Sequence, residues 1–407
     1  MSNIKEYDVV VVGGGPAGLS AACLLAEQDL STAIVSPFFP KPAPQGQRDP
    51  RTIAMMQPSV RLMEHLGLWP QKLKDVSNPL NHLRLLDDSG NLLTGTEVLF
   101  NSEELSDQPF GWNMPLPDLS QALLDKAKNA AIDFYVDKAL GAPLKNDGIE
   151  LAMEKLGALK AKVIVASDGR ASNLRKSAGI GMAEWFYDQV AIGAVFAHSG
   201  PHNDTSTECH KQDGPLTTVP MPDNHSSLVW MVRPERGKEL MALSDKEFAG
   251  ELQLELHGEL GIISDVINRK SFPMQGLNAM TYARNRVILI GEAAHVVPPI
   301  GAQGLNMSLR DGAMAAELIG DAKAFGDDIG SDRLLAKYDI ARRRDVWPRQ
   351  KIIDLMNRSL LSKLPFVHDA RALGLSMVNR IVPLRNKVMR EGISPNENLP
   401  RIMQHTR

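Results

Sequence analysis

Apolar residues gather in short unbroken blocks, and three of those blocks end directly in glycine or in a glycine-bearing turn. Val9-Val10-Val11-Val12 is too short for a buried helix and wholly β-branched, which predicts a central parallel strand covered on both faces. Val163-Ile164-Val165-Ala166 and Val287-Ile288-Leu289-Ile290 have the same form, and Thr32-Ala33-Ile34-Val35-Ser36 reads as a further strand. From about Met182 to Pro273 the pattern changes. Val190–Phe196 and Ser227–Val232 read as strands broken by Pro, Gly, Asn and Asp turns, with no alternating helices, so a mostly antiparallel sheet is expected there. Near the end, Ile353, Met356, Leu360 and Leu364 recur at helical spacing, as do Leu373, Met377, Ile381, Leu384 and Val388.

The residues just past each block carry the chemistry. After the first, Gly13, Gly15 and Gly18 fit G-x-G-x-x-G, with Pro16 in the first helical turn and Ala17, Ala21 and Ala22 keeping the helix slim. A strand before and a helix after make this a dinucleotide site: the glycines bring backbone N–H groups and the positive helix end close to a pyrophosphate. The acid expected at the end of the second strand is missing. Ser36 stands there, before a Pro-rich stretch running through Pro44, and it binds ribose hydroxyls without the strength of a carboxylate. Asp168-Gly169 comes after the second block and reads, by itself, first as a turn with an N-cap at Ser172. Gly291-Glu292 comes after the third, where ligands of open α/β sheets bind, and Pro298–Asn306 then leads into a helix.

Bulk properties narrow the class. A chain of 407 residues with 43% hydrophobic content can bury a sizeable core, and a net charge of −3 gives no sign of nucleic acid. Cys23 and Cys209 belong to no C-x-x-C pair, which argues against a disulfide framework and a Cys-based zinc site. His295 lacks a partner at metal-ligand spacing, so no metal is expected. The first strand begins by about Tyr7, and no apolar stretch approaches a membrane span, from which a reducing, cytoplasmic location is expected.

Taken in this order, the three segments resemble the flavin-dependent aromatic hydroxylases of the 4-hydroxybenzoate hydroxylase type. Further stretches are similar to one branch, the polyprenylphenol hydroxylases of ubiquinone biosynthesis. They are Arg48-Asp49-Pro50-Arg51-Thr52-Ile53-Ala54, Val60–Trp69, Gly214-Pro215-Leu216, Arg342-Arg343-Arg344-Asp345, Asn357–Leu360 and Met389–Gly392. The resemblance implies an α/β (overall α+β) fold. A discontinuous Rossmann-like FAD domain would take residues 1–75, 100–181 and 274–340, with an antiparallel-sheet substrate domain inserted at 76–99 and 182–273 and a helical region at 341–407.

The resemblance also implies the site. FAD would be held by Gly13, Gly15, Pro16, Ala17, Gly18, Ser36, Arg51, Asp168, Gly291, Glu292, Gly301, Ala302, Gln303, Gly304, Leu305 and Asn306. Glu292 replaces the family's aspartate on the flavin ribityl chain, and weaker binding is a consequence to test. Pro298, Pro299 and Gln303 would stand between flavin and substrate, with loop N–H groups stabilising the anionic reduced flavin. The implied reaction uses NAD(P)H and O2 to hydroxylate a phenol ring through a flavin C4a-hydroperoxide. One glycine fingerprint leaves NAD(P)H without a Rossmann domain of its own, and a protein donor stays open. Glu208, His210 and Tyr282 are candidates for the base that ionises the phenol.

The substrate implied is a polyprenylated phenol. Arg358, Lys363, Arg371, Arg380, Arg385, Lys387 and Arg390 outnumber nearby Asp354, Asp369 and Glu391, which suits either peripheral contact with an anionic membrane or helices that simply close the core. Other ubiquinone-biosynthesis proteins are the partners the branch implies. Three readings compete with this one: hydroxylation of a small soluble phenol, halogenation (whose W-x-W-x-I-P motif is absent), and a non-catalytic scaffold, given Ser36 and Glu292.

Overall fold

The structure is a computed structural model that describes residues 4–41, 51–89, 97–145, 147–362, 365–392 and 398–405. Pro44, Arg48, Asp49, Pro50, Lys363 and Leu364 lie outside these.

The apolar blocks form one parallel core sheet. Its strands lie side by side in the order Ile132–Val136, Thr32–Ser36, Lys5–Val12, Ala158–Ala166 and Val287–Leu289. Val12 is level with Val35 on one side and Ala166 on the other, and Ala166 is level with Leu289. The register therefore brings the ends of all three signature strands to one edge. Val9 to Val12 and Val163 to Ala166 are almost entirely buried, as both-face coverage demands.

A second sheet of eight strands contains Met182–His198, Thr205–Lys211, Gly214–Met221, His225–Val232 and Ile263–Ala279, extended by His82–Asp87 and Glu97–Asn101. Pairing is antiparallel except where Thr205–Lys211 runs parallel to His82–Asp87. One face packs Cys209, Leu216 and Trp230 against Phe248 and Leu252 of the helix Asp245–Glu255. The other packs Ala191, Val229 and Met231 against Ile300, from the Pro298–Asn306 loop, and Ile353.

A buried charge network fastens that loop's approach to the helices behind it. Asp311, on the helix Gln303–Ala324, accepts the Gly291 N–H at 2.9 Å, lies 2.7 Å from His295 Nε2, and takes Arg342 Nε at 2.7 Å. Arg342, on the helix Asp332–Leu361, also pairs with Asp345, which in turn takes Arg310 and Arg349. Nearby, Tyr338 donates its hydroxyl to the Leu289 carbonyl at 2.9 Å. Burial works to raise the Asp311 pKa, but His295 and Arg342 overcome it and hold the carboxyl below the ordinary range.

Breaking a buried pair from one side strands the other charge, which typically costs about 3–5 kcal/mol. Asp311→Ala is expected to cost stability in that range in urea unfolding. Since the Asp311 pKa is depressed, the wild-type contribution should be present above about pH 4, the unfolded aspartate value, and fade as pH falls through the lower folded value.

Candidate active site

The three signature segments meet at the shared sheet edge, and their glycines divide into two kinds. Gly13 has φ +121°, and a Cβ there would lie 2.1 Å from the Ser167 carbonyl oxygen, so the first segment rests directly on the second. A Cβ on Gly18 would lie 2.0 Å from the Gly13 carbonyl oxygen. These two are packing requirements. Gly15 is different: its φ of −80° suits any residue, and a Cβ there would meet no atom within 4 Å. The middle glycine thus leaves its backbone approachable, as a pyrophosphate needs. The helix Pro16–Ala26 that begins there has no side-chain cap and no acid in its first turn, which leaves its first N–H groups for an anion.

Asp168 adds a second mark of a ligand site. Its Oδ2 accepts the Leu174 N–H at 3.2 Å, while Oδ1 is buried without a hydrogen-bond partner. Burial raises this carboxyl's pKa. Ser172 does cap the short helix Asn173–Ser177, accepting the Arg175 N–H at 2.9 Å, so turn and ligand roles coexist. Fully buried Arg175 donates to the carbonyls of Ala293 (2.8 Å) and Arg170 (2.7 Å), bracing the second segment against the third.

Glu292 extends from the turn Gly291–Ala293 and receives Arg170 in a two-point pair at 3.0 and 3.1 Å. An exposed pair of this kind adds little stability but fixes where the carboxylate stands. Each carboxylate oxygen keeps a lone pair for a further donor. Ser36 is more restricted than its sequence position implies. It is buried and gives its only proton to the Phe38 carbonyl at 2.6 Å, so it can accept from a ribose hydroxyl but not donate to one. Arg51 is exposed immediately before the strand Thr52–Met56, whose far end reaches the side chain of Asn306.

The Pro298–Asn306 loop is held by that asparagine, whose bracing role was invisible in the sequence. Buried Asn306 accepts from the Met56 N–H and the Ser59 hydroxyl and donates to the carbonyls of Ala54 and Ala302, which uses its whole side-chain capacity. Only its backbone remains for a cofactor. Ala302 caps the helix beyond it in a left-handed conformation, φ +53°, uncommon for a residue with a Cβ. That helix, Gln303–Ala324, also lacks a side-chain cap and first-turn acids. Its N-terminus carries roughly half a positive charge, and Gly301 and Gly304 beside it leave the backbone exposed. Pro298 is buried and Pro299 exposed, while Gln303 donates to the Gly301 carbonyl at 3.1 Å.

Of the candidate bases, Tyr282 is buried in the main core and gives its hydroxyl to Asn278 Oδ1 at 2.6 Å, with His295 at its ring edge. It belongs to the scaffold. Glu208 and His210 lie apart from it, in the strand Thr205–Lys211 of the second sheet.

Two uncapped helix ends, an approachable fingerprint glycine and a half-satisfied buried acid meet at this sheet edge, an arrangement that can hold an anionic dinucleotide. Residues 6–350 match the FAD binding domain family. The ubiquinone hydroxylase UbiL of Rhodospirillum rubrum is 32% identical over 96% of this chain and 90% of its own length. The 3-demethoxyubiquinol 3-hydroxylase of Escherichia coli is 26% identical over 95% and 98% respectively. Among solved structures, p-nitrophenol 4-monooxygenase PnpA from Pseudomonas putida superposes with TM-score 0.76 at 17% identity, covering 97% of this chain and all of that one. The flavin-dependent brominase Bmp2 gives the same score at 16%, over 98% and 97%, and at that identity shows the fold alone. The chain belongs to the FAD-dependent aromatic monooxygenases of the ubiquinone-hydroxylase family.

The two kinds of glycine make separable predictions. Gly15→Ala should leave the thermal stability of the FAD-free protein nearly unchanged yet weaken FAD binding about tenfold or more, whereas Gly13→Ala should destabilise the fold itself. Ser36→Glu should tighten FAD about tenfold by adding a charge-assisted hydrogen bond. Calorimetry and flavin-fluorescence titration read both.

Proposed function

We propose that this protein hydroxylates the aromatic ring of a polyprenylated phenol in ubiquinone biosynthesis, with FAD, O2 and NAD(P)H as donor. The observation that carries the reading is the braced, uncapped N-terminus of Gln303–Ala324: a scaffold has no use for a rigid positive helix end beside a flavin-nucleotide cradle. Bound FAD supplies the oxygen-transfer chemistry. The chain's own residues do the rest. Gly13–Gly18 and the first helix orient the pyrophosphate, Asp168 and Glu292 receive polar groups of the cofactor, and N–H groups at Gln303 and Gly304 stabilise negative charge on its ring. Ile300, buried against Met231, closes the loop onto the second sheet and helps exclude water. In this reading the segments 1–75, 100–181 and 274–340 act as the FAD unit, and 76–99 with 182–273 as the substrate unit.

Peripheral membrane contact has its own support. The first C-terminal stripe is core, since Ile353 and Leu360 are buried, but the second is not: Leu373 is 58% exposed, Met377 45% and Ile381 42%. Ile352 and Leu355 are exposed as well. The basic face is smaller than the sequence count implies, because Arg371 pairs inward with Asp87 and Arg385 with Glu104. Arg380 and Arg390 stay exposed. No helix among the described residues is long and apolar enough to cross a membrane. A surface stripe of this kind suits uptake of a prenylated substrate from anionic lipid on the inner face of the cell membrane, where other enzymes of the pathway would supply it.

Purified protein with FAD, NADH or NADPH and a prenylated phenol in anionic vesicles should incorporate one oxygen atom from labelled O2 into the ring. Replacing Leu373, Met377 and Ile381 by Ser should reduce vesicle binding and that turnover together. Equal turnover of a small phenol without vesicles would favour the soluble-substrate alternative, and failure to bind FAD would leave the scaffold as the better account.

A further inference from the structure

The sheet face turned toward the flavin loop carries a polar group that none of these roles uses. On the strand Thr205–Lys211, Cys209 points into the core with Trp230 and Phe248, so its neighbours Glu208 and His210 point to the opposite face. That is the face of Val229, which packs on the cluster containing Ile300 of the flavin loop. The register makes the link direct: Glu208 is paired with Thr217, and Thr217 with Val229. At about 4.8 Å per strand, Glu208 stands roughly 10 Å from Val229.

Both residues are buried, Glu208 at 7% exposure and His210 at 2%, and His210 Nε2 lies 2.8 Å from Glu208 Oε1. With Glu208 as a carboxylate, which can only accept, the contact places the hydrogen on Nε2 and leaves a lone pair on Nδ1. Nδ1 is buried with no hydrogen-bond partner, and so is Thr217 Oγ1 on the adjacent strand of the same face. Buried polar atoms are rarely left unsatisfied. Two of them beside an apolar cluster suit a ligand with one hydroxyl on an apolar body.

We infer that Glu208 and His210 form the dyad that ionises the substrate phenol, with His210 Nδ1 taking the proton and Thr217 Oγ1 hydrogen-bonding the same oxygen. This rests on the hydroxylase reading. The phenol O–H bond breaks, an N–H bond forms at Nδ1, and the electron pair stays on the oxygen as phenolate. The imidazolium is stabilised by Glu208; as the hydroxylated ring carbon releases its own proton to solvent and the ring regains aromaticity, the imidazolium proton returns to the product oxygen, and no redox change accompanies these proton transfers. Phenolate formation enriches the ring for electrophilic attack. Asp87 is the charged group paired with His210 from the neighbouring strand, and it is already engaged by Arg371 at 3.1 Å and by Ser89. Lys211 and Asp88 pair with each other beside the dyad. Glu208 is therefore the charge left to act on the imidazole.

The test compares wild type, His210→Gln, Glu208→Gln and Thr217→Val for FAD content, NAD(P)H oxidation, product per NAD(P)H and pH profile. His210→Gln should retain FAD and still oxidise NAD(P)H, releasing H2O2, while product formation at pH 7 falls about 10²–10³-fold. The loss should shrink as pH rises toward about 10, where a phenol ionises unaided. Glu208→Gln should move the same way by less, and Thr217→Val should raise KM without moving the profile. Wild-type coupling in His210→Gln overturns the dyad, as does a loss in FAD-replete Glu208→Gln that high pH does not rescue. The Glu208 variant decides if His210→Gln fails to fold. A wild-type enzyme that binds FAD yet hydroxylates no phenol overturns the hydroxylase reading itself.

Discussion

The arrangement of this site depends on one carboxylate that never reaches it. The parallel sheet aligns the three signature strands, but alignment alone leaves the backbone after Leu289 free to turn in many ways. Asp311 removes that freedom: one oxygen takes the Gly291 N–H and His295, and the other takes Arg342. The turn that projects Glu292 is thereby tied to the same helix whose uncapped N-terminus opens at the site. Buried ion pairs often contribute little net stability against apolar replacements. Their value here is positional, since the network joins the third strand, the loop helix and the helix Asp332–Leu361 through groups whose geometry admits little slack. Arg310, deep in the same network, shows the cost of burial, which pushes its guanidinium pKa down to about 10 with only partial compensation from Asp345.

The features legible in the sequence were those that a local pattern must satisfy. Strands buried on both faces have to be apolar without a break, and Gly13 and Gly18 sit against backbone atoms that exclude any side chain. The features that stayed hidden arise from partners far apart in the chain. Asn306 reads as one more cofactor-holding residue until Met56, 250 positions earlier, is found donating to its side chain. Ser36 hides for the opposite reason: its partner, the Phe38 carbonyl, is only two residues away, but a turn's hydrogen bond depends on dihedrals that composition does not fix. The C-terminal periodicity was real in both stripes, yet a stripe says only that one face is apolar, not whether protein or something else covers it.

The two long helices that begin at the site, Pro16–Ala26 and Gln303–Ala324, begin without side-chain caps. A Ser, Thr, Asp or Asn at either N-cap would add about 1 kcal/mol to the fold. Gly15 and Ala302 stand there instead, and neither first turn holds an acid. Each omission costs stability and leaves the helix end open, because a capping side chain would occupy the free N–H groups and an acid would oppose any anion bound there. The left-handed Ala302 adds local strain, and the Asn306 amide holds it there by donating to the Ala302 carbonyl.

In the proposed function, flavin and substrate need a fixed mutual geometry although separate sheets would carry them. Ile300 is where the two meet: it belongs to the flavin loop, yet it is buried among Ala191, Met231 and Ile353 on the second sheet's face. Packed interiors transmit displacement rather than absorb it. A shift in the strands bearing Glu208, Thr217 and Val229 is therefore passed to Ile300 and so to the loop, and a change in the loop is passed back. Under the proposed dyad, the placement of the phenol oxygen and the placement of the cofactor ring become one packing problem.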